Sequence, residues 1–165
     1  MPGAGKSTIS RKLAQRLNMS FMDLDEEIEK GEELTIKEIF SNTGEDSFRK
    51  LESEYLTELL SSEGAYILAS GGGTPCFYNN MELMLSKGTV FYLEAKVEDL
   101  LQRMTQVEKG TRPLFNEGEL KDSVNKLFHQ RHKIYEKAHY TIPADEHAID
   151  AILGLLEEET DRKGH

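Results

Sequence analysis

The sequence predicts an α/β protein, a doubly wound parallel sheet with flanking helices, carried by a single domain. Three observations predict it. Short apolar segments alternate with segments of helical periodicity, the pattern of a parallel sheet covered by helices. A glycine-rich segment at the start of the chain runs directly into an amphipathic helix. The length, 165 residues, fits one compact domain with a continuous core.

In chain order, residues 6–17 read as a helix, because Ile9, Leu13 and Leu17 fall on one face. Phe21, Met22, Asp23 and Leu24 read as a short strand that runs out into carboxylates. A polar stretch follows, in which Thr35 and Glu38 have the spacing of a capping box and open a short helix. Residues 45–62 form a longer helix with Phe48, Leu51, Tyr55 and Leu59 on its buried side. Residues 65–70 make a buried strand, ended by Gly71, Gly72 and Gly73.

Residues 79–87 read as a helix, 89–93 as a strand and 97–104 as another helix. Residues 106–119 carry Gly110, Pro113 and Gly118 and offer no periodic apolar positions, so a mobile loop is expected there. A helix over 120–138, a strand over 140–142 and an amphipathic helix over 148–158 complete the pattern. The charged tail, 157–165, is expected to fray. There is no internal repeat, low-complexity linker or domain boundary.

Composition narrows the function. The single Cys76 excludes a disulfide framework and fits a reducing compartment. Lys and Arg number 20 against 30 Asp and Glu, a net charge of −10, which argues against nonspecific nucleic-acid binding. No apolar run approaches the roughly 18 residues of a membrane span, and nothing resembles a signal peptide. A soluble cytoplasmic protein is expected.

The strongest motif is Gly3-Ala4-Gly5-Lys6-Ser7-Thr8, which matches all but the first glycine of G-x-x-x-x-G-K-[ST]. Glycines let successive backbone N–H groups turn inward around phosphate oxygens. Lys6 can reach the β- and γ-phosphates, Ser7 can ligate Mg²⁺, and the helix start adds its positive dipole end. The alternative is a glycine turn that caps a helix carrying Lys and Ser by chance. Such loops follow a strand, and no residues precede Met1. A central first strand of about 5–6 residues is therefore expected to be missing, or its slot to be filled by another segment.

Asp23 and Asp25 stand two apart at the end of a predicted strand, where parallel-sheet proteins bind ligands. Phosphoryl transfer to an alcohol needs an acid that organises the metal and a group that takes or orients the hydroxyl proton. The pair fits those tasks, but Asp25 also has the position of an N-cap, and both readings stand open. Arg49 lies one turn into a helix, where a guanidinium clamps a carboxylate or is merely a solvated charge. Three glycines at 71–73 favour close ligand approach over a simple turn.

Arg112, in the polar loop, can swing over phosphates or be an incidental surface charge. Arg131, with Tyr135 one turn on, can supply a second anion contact. His129 and His132 read as helix-surface histidines, and Cys76 as a small buried residue.

Together these motifs resemble those of the shikimate kinases, in order and over nearly the whole chain. They are the phosphate loop, the D-x-D of Asp23 and Asp25, the F-R-x-x-E at 48–52, Gly71-Gly72-Gly73, the R-P-L at 112–114 and the R-x-x-x-Y ending at Tyr135. The combination is specific, whereas the phosphate loop alone belongs to a large superfamily. The resemblance implies a P-loop kinase fold, with a substrate-binding helical segment at about 25–62 and a lid at about 106–119. It implies transfer of the γ-phosphoryl of MgATP to the 3-hydroxyl of shikimate, a step toward chorismate and aromatic amino acids.

By the same resemblance, Gly3, Ala4, Gly5, Lys6, Ser7 and Thr8 bind the nucleotide, and Ser7 and Asp23 serve Mg²⁺, Asp23 through water. Asp25 activates the acceptor hydroxyl, Arg49 and Arg131 clamp the carboxylate, Gly72 offers backbone contact and the lid's Arg112 contacts ATP. Lys6, Asp25 and Arg112 form the catalytic set. A monomer with small-molecule partners only is implied, without nucleic acid or membrane. The sequence departs from the pattern in the absent first strand and loop glycine, and in the lack of an arginine at 143–147 for adenine.

Other readings are a related kinase acting on gluconate or a nucleoside monophosphate, and a noncatalytic nucleotide-binding relative. A GTP-binding switch is disfavoured, since Asn125-Lys126 is followed by Leu127-Phe128 rather than by the aspartate of N-K-x-D.

Overall fold

A computed structural model of the chain describes residues 5–95 and 117–163. The expected helix over 97–104 and most of the expected lid lie outside the described residues. The chain divides into two compact units, Lys6–Val90 and Phe91–His165 with Met1–Gly5.

Gly5 has φ 72, a left-handed conformation that favours glycine, and the first unit opens at the next residue with helix α1 (Lys6–Leu17). The helix ends on Asn18, also left-handed at φ 53. The Asn18 and Met19 N–H groups there donate to the carbonyls of Gln15 and Ala14, at 3.3 and 2.9 Å, which closes the last turn. Strand β1 (Ser20–Asp23) pairs in parallel with β2 (Tyr66–Ala69), in the register Ser20↔Tyr66 to Asp23↔Ala69. The strand ends one residue earlier than the sequence suggests, because Leu24 already opens helix α2 (Leu24–Glu32) and is fully buried.

Thr35 makes the predicted capping box. Its hydroxyl accepts from Glu38 N–H at 3.3 Å, and the Glu38 carboxylate accepts from Thr35 N–H at 2.8 Å. Helix α3 (Ile36–Leu59) then joins the two predicted helices across a break at Gly44, with φ 81 and ψ 173. The second segment begins at Glu45, as expected, but its inner stripe differs. Phe48, Glu52 and Leu56 are buried, whereas Leu51, Tyr55 and Leu59 are half-buried. An acid occupies the middle of that stripe because its carboxylate has partners there, described below.

After β2 the three glycines lead into a 3₁₀ turn, Thr74–Cys76, which the sequence analysis did not anticipate, and then into helix α4 (Asn80–Lys87). Leu13, Ala14, Ile28, Ile39, Leu56, Met81 and Met84 fill the core of this unit.

In the second unit, β3 (Phe91–Glu94) pairs in parallel with β4 (Tyr140–Pro143), Phe91 opposite Tyr140. Helix α5 (Glu117–Tyr135) starts and stops about one turn before its predicted span. Its Tyr135 is buried and stacks on Tyr92 of β3 at 4.9 Å between ring centroids. Helix α6 (Ala148–Lys163) continues past the predicted end at 158. The tail is held because Tyr140 of β4 donates its hydroxyl to Glu159 at 2.9 Å, and Thr160 bonds back to the Leu156 carbonyl. The parallel strands thus form two ladders, one in each unit.

Candidate active site

The parallel register brings the carboxyl ends of β1 and β2 side by side, with Asp23 opposite Ala69, one residue before the segment Ser70 to Gly73. Ligands of parallel sheets bind at such ends. Asp23 uses both carboxylate oxygens. Oδ2 accepts the Ser7 hydroxyl at 2.5 Å, and Oδ1 accepts the Asp25 N–H at 3.1 Å, capping α2. The question left open by the sequence resolves here: Asp23 is the N-cap, and the Asp25 carboxyl is not used as one.

Asp25 stands on the first turn of α2, open to solvent on one side. Its proton affinity is raised above the ordinary carboxylate range. Partial burial is the largest cause, followed by the negative charges of Asp23 and Glu52; Lys6 opposes them. A carboxylate so shifted is a better proton acceptor than an ordinary aspartate. The Lys6 ammonium feels the reciprocal field. Burial lowers its pKa, while Asp25 and Asp23 act to raise it. Lys6, Ser7, Asp23 and Asp25 therefore form one electrostatic group. The Ser7 hydroxyl and the Asp23 carboxylate make a hard oxygen donor pair of the kind Mg²⁺ takes, so the residues present fit that ion.

Beside this group lies Arg49, whose side chain is only 11% exposed, so it is not the solvated helix arginine that the sequence also allowed. Its Nη1 donates to Glu52 at 2.8 Å, and Glu45 lies 3.3 Å from Nη2. The rings of Phe77, Phe48 and Phe40 surround the guanidinium at 4.8, 5.2 and 5.8 Å from its carbon. Charge on both carboxylates and three ring faces hold the cation in one place.

The glycines explain how it fits. A Cβ on Gly73 would lie 2.5 Å from Arg49 Nη1, although the φ of −85 there suits any residue. A Cβ on Gly71 would crowd Glu52 Oε1 and Thr74 Oγ1 at 3.1 Å, and Asp25 Oδ1 at 3.4 Å. A side chain at Gly73 would therefore displace the Arg49 guanidinium, and one at Gly71 would press on Glu52 and Thr74.

Glu52 is 1% exposed and, besides Arg49, accepts the Thr74 hydroxyl at 2.5 Å. The Thr74 carbonyl accepts from Asn80 Nδ2 at 2.9 Å, and Asn80 Oδ1 accepts the Ser53 hydroxyl at 2.8 Å. Thr74 and Asn80 are completely buried. Sequence reasoning missed Thr74 and Asn80 and gave Glu52 no task; the only signal was the Arg–Glu spacing of three within a helix.

Lys6, Ser7, Asp23, Asp25, Arg49 and the glycine segment with Gly72 thus belong to one unit. Thr8 lies on the first turn of α1. Arg131 is on α5 of the second unit, four residues before the buried Tyr135. Gly3, Ala4 and Arg112 lie outside the described residues. Cys76 is half-buried at the end of the 3₁₀ turn, not fully buried. His129 and His132 sit on α5; the His129 ring bonds to the Asn125 carbonyl and His132 stacks on Phe128.

The profile of the shikimate kinase family matches residues 2–159. A shikimate kinase of Flavobacterium johnsoniae is 40% identical over 153 residues, which span 90% of this chain and 88% of that one. Another, of Azobacteroides pseudotrichonymphae, is 43% identical over 115 residues, 70% and 67% of the two lengths. The crystal structure of the Bacteroides thetaiotaomicron shikimate kinase superposes with a TM-score of 0.83 at 32% identity, covering 97% of this chain and 94% of that one. The Acinetobacter baumannii enzyme, solved in complex with shikimate, gives 0.82 at 37% identity, covering 98% and 89%. Sequence and backbone agree over nearly the full length, so the fold is the α/β P-loop kinase fold and the chain belongs to the shikimate kinase family.

Proposed function

We propose that the chain transfers the γ-phosphoryl group of MgATP to the 3-hydroxyl of shikimate, giving shikimate 3-phosphate and ADP, as a monomer in the cytoplasm. The observation that carries this reading is the placement of Asp25, with raised proton affinity, in the same unit as a phosphate-loop lysine and an Arg49 held by buried partners. A base for an alcohol and a cation for a carboxylate are what this acceptor requires.

Lys6 and the backbone of residues 3–8 bind the triphosphate, and Ser7 and Asp23 hold Mg²⁺, Asp23 through water. Held there, Mg²⁺ would supply neutralisation of phosphate charge. Arg49 takes the shikimate carboxylate, Arg131 adds a second cation to it, and Gly72 contributes backbone contact. Asp25 accepts the proton of the 3-hydroxyl as its oxygen bonds to phosphorus and the bond from phosphorus to the β–γ bridging oxygen breaks. Lys6 balances the charge that gathers on the departing ADP, and Arg112 of the lid contacts the nucleotide. Segment 25–62 carries most of the acceptor site, and residues 106–119 close over it to keep water from competing.

ADP release measured side by side with shikimate, gluconate and AMP tests this. Turnover with shikimate alone is expected. Turnover with gluconate or AMP and none with shikimate overturns the reading.

A further inference from the structure

The buried hydroxyl of Thr74 is the feature the proposed mechanism leaves unused. It sits in the 3₁₀ turn after the glycines, 22 positions from Glu52 in sequence, and donates to Glu52 Oε1 at 2.5 Å. The other oxygen, Oε2, accepts Arg49 Nη1 at 2.8 Å. One buried carboxylate therefore receives a cation on one side and a hydroxyl on the other. Thr74 is itself fixed, because Asn80 holds its carbonyl and Ser53 holds Asn80. Thr74 and Asn80 are 0% exposed, so no water competes for these bonds.

We infer that Thr74 is a positioning residue for the acceptor carboxylate: its hydroxyl locks the Glu52 carboxylate, which in turn sets the plane in which Arg49 presents its free N–H groups. This rests on Arg49 as the carboxylate clamp. Without the hydroxyl, the buried Glu52 Oε1 loses the donor that Thr74 supplies, while the guanidinium still donates to Oε2 of the same carboxylate at 2.8 Å. The carboxylate then turns toward Arg49 and draws off the N–H groups meant for substrate. Phe40, Phe48 and Phe77 confine the guanidinium to its site, but ring faces give it no preferred rotation about its own axis. Rotation must be set by hydrogen bonds: the exposed Glu45 accepts from Nε and Nη2 at 3.4 and 3.3 Å, and the shorter, buried bond from Nη1 goes to Glu52, which Thr74 holds. Because the device orients binding and does not touch the transferring phosphoryl, its loss reads out in KM for shikimate and leaves kcat intact.

The test is a double-mutant cycle between Thr74→Val, which keeps the side-chain shape, and Arg49→Ala. In the parent, Thr74→Val is expected to raise the KM for shikimate about tenfold, with kcat within about twofold and the KM for ATP unchanged. Thr74→Ser restores the hydroxyl and is expected to restore the KM. In the Arg49→Ala background, Thr74→Val should change KM by less than about twofold, since there is no guanidinium left to orient.

If Arg49→Ala raises KM and Thr74→Val does not, the positioning role is overturned while the clamp stands. An equal Thr74→Val effect in both backgrounds overturns it as well, because Thr74 then acts on something other than Arg49. If Arg49→Ala leaves KM unchanged, the clamp falls and this inference falls with it. Should Thr74→Val fail to fold, Thr74→Ala takes its place under the same criteria.

Discussion

Asp23 shows how much one side chain does in this site. Its two oxygens tie the Ser7 hydroxyl to the first turn of α2, so the group proposed to serve the metal also fixes the backbone at Asp25. Its charge also acts on Asp25, as one of the causes that hold the Asp25 proton more tightly than usual. Asp23→Asn keeps an oxygen for the cap but removes that charge. With one fewer negative neighbour the Asp25 carboxylate is less destabilised, so its proton leaves at lower pH. The acid limb of kcat/KM for shikimate, which reports the free enzyme, should therefore move to lower pH in this variant even if the plateau falls. A limb that stays in place or moves to higher pH contradicts the assignment of Asp25 as the titrating base.

The elements explain why part of the site was legible in the sequence and part was not. The starts of α1, of α3 and of its Glu45 segment were readable, because Gly5, the Thr35–Glu38 capping box and Gly44 mark them in turn. The residues proposed to touch small ligands fall into recognisable spacings for the same local reason. Glu52 did not. Its place in the buried stripe of α3 depends on Arg49 one turn away and on Thr74 beyond the next strand, and no periodicity of apolar residues announces a buried acid. The end of α6 was likewise set by a contact from β4 to Glu159.

Gly73 illustrates the same dependence. Its backbone conformation suits alanine, so the need for glycine comes wholly from Arg49 packed against it. Gly73→Ala should fold, displace the guanidinium and raise the KM for shikimate by about tenfold or more, with little change in the KM for ATP. An unchanged shikimate KM contradicts the packing described.

At the scale of the molecule, the net charge of −10 works against long-range attraction of anionic substrates. Recognition therefore rests on local pairing. In the first unit Lys6 lies in the field of Asp23 and Asp25, and Arg49 lies between Glu45 and Glu52. Each cation lies beside carboxylates of the same unit, which suits exchange of partners with a bound phosphate or carboxylate. The acidic composition is thus compatible with a binder of anions because the relevant cations are placed singly by their own acids.

Phosphoryl transfer to one hydroxyl under the control of Asp25 is the activity proposed for this site. Identification of the product formed from MgATP and shikimate, by phosphorus NMR together with the ADP released, tests it most directly. The expected product is a monoester at the 3-oxygen, one per ADP, with Asp25→Asn slowing its formation by about 10²–10⁴-fold while ATP binding is retained. Release of inorganic phosphate at the same rate with and without shikimate, or an ester at another oxygen, would contradict it.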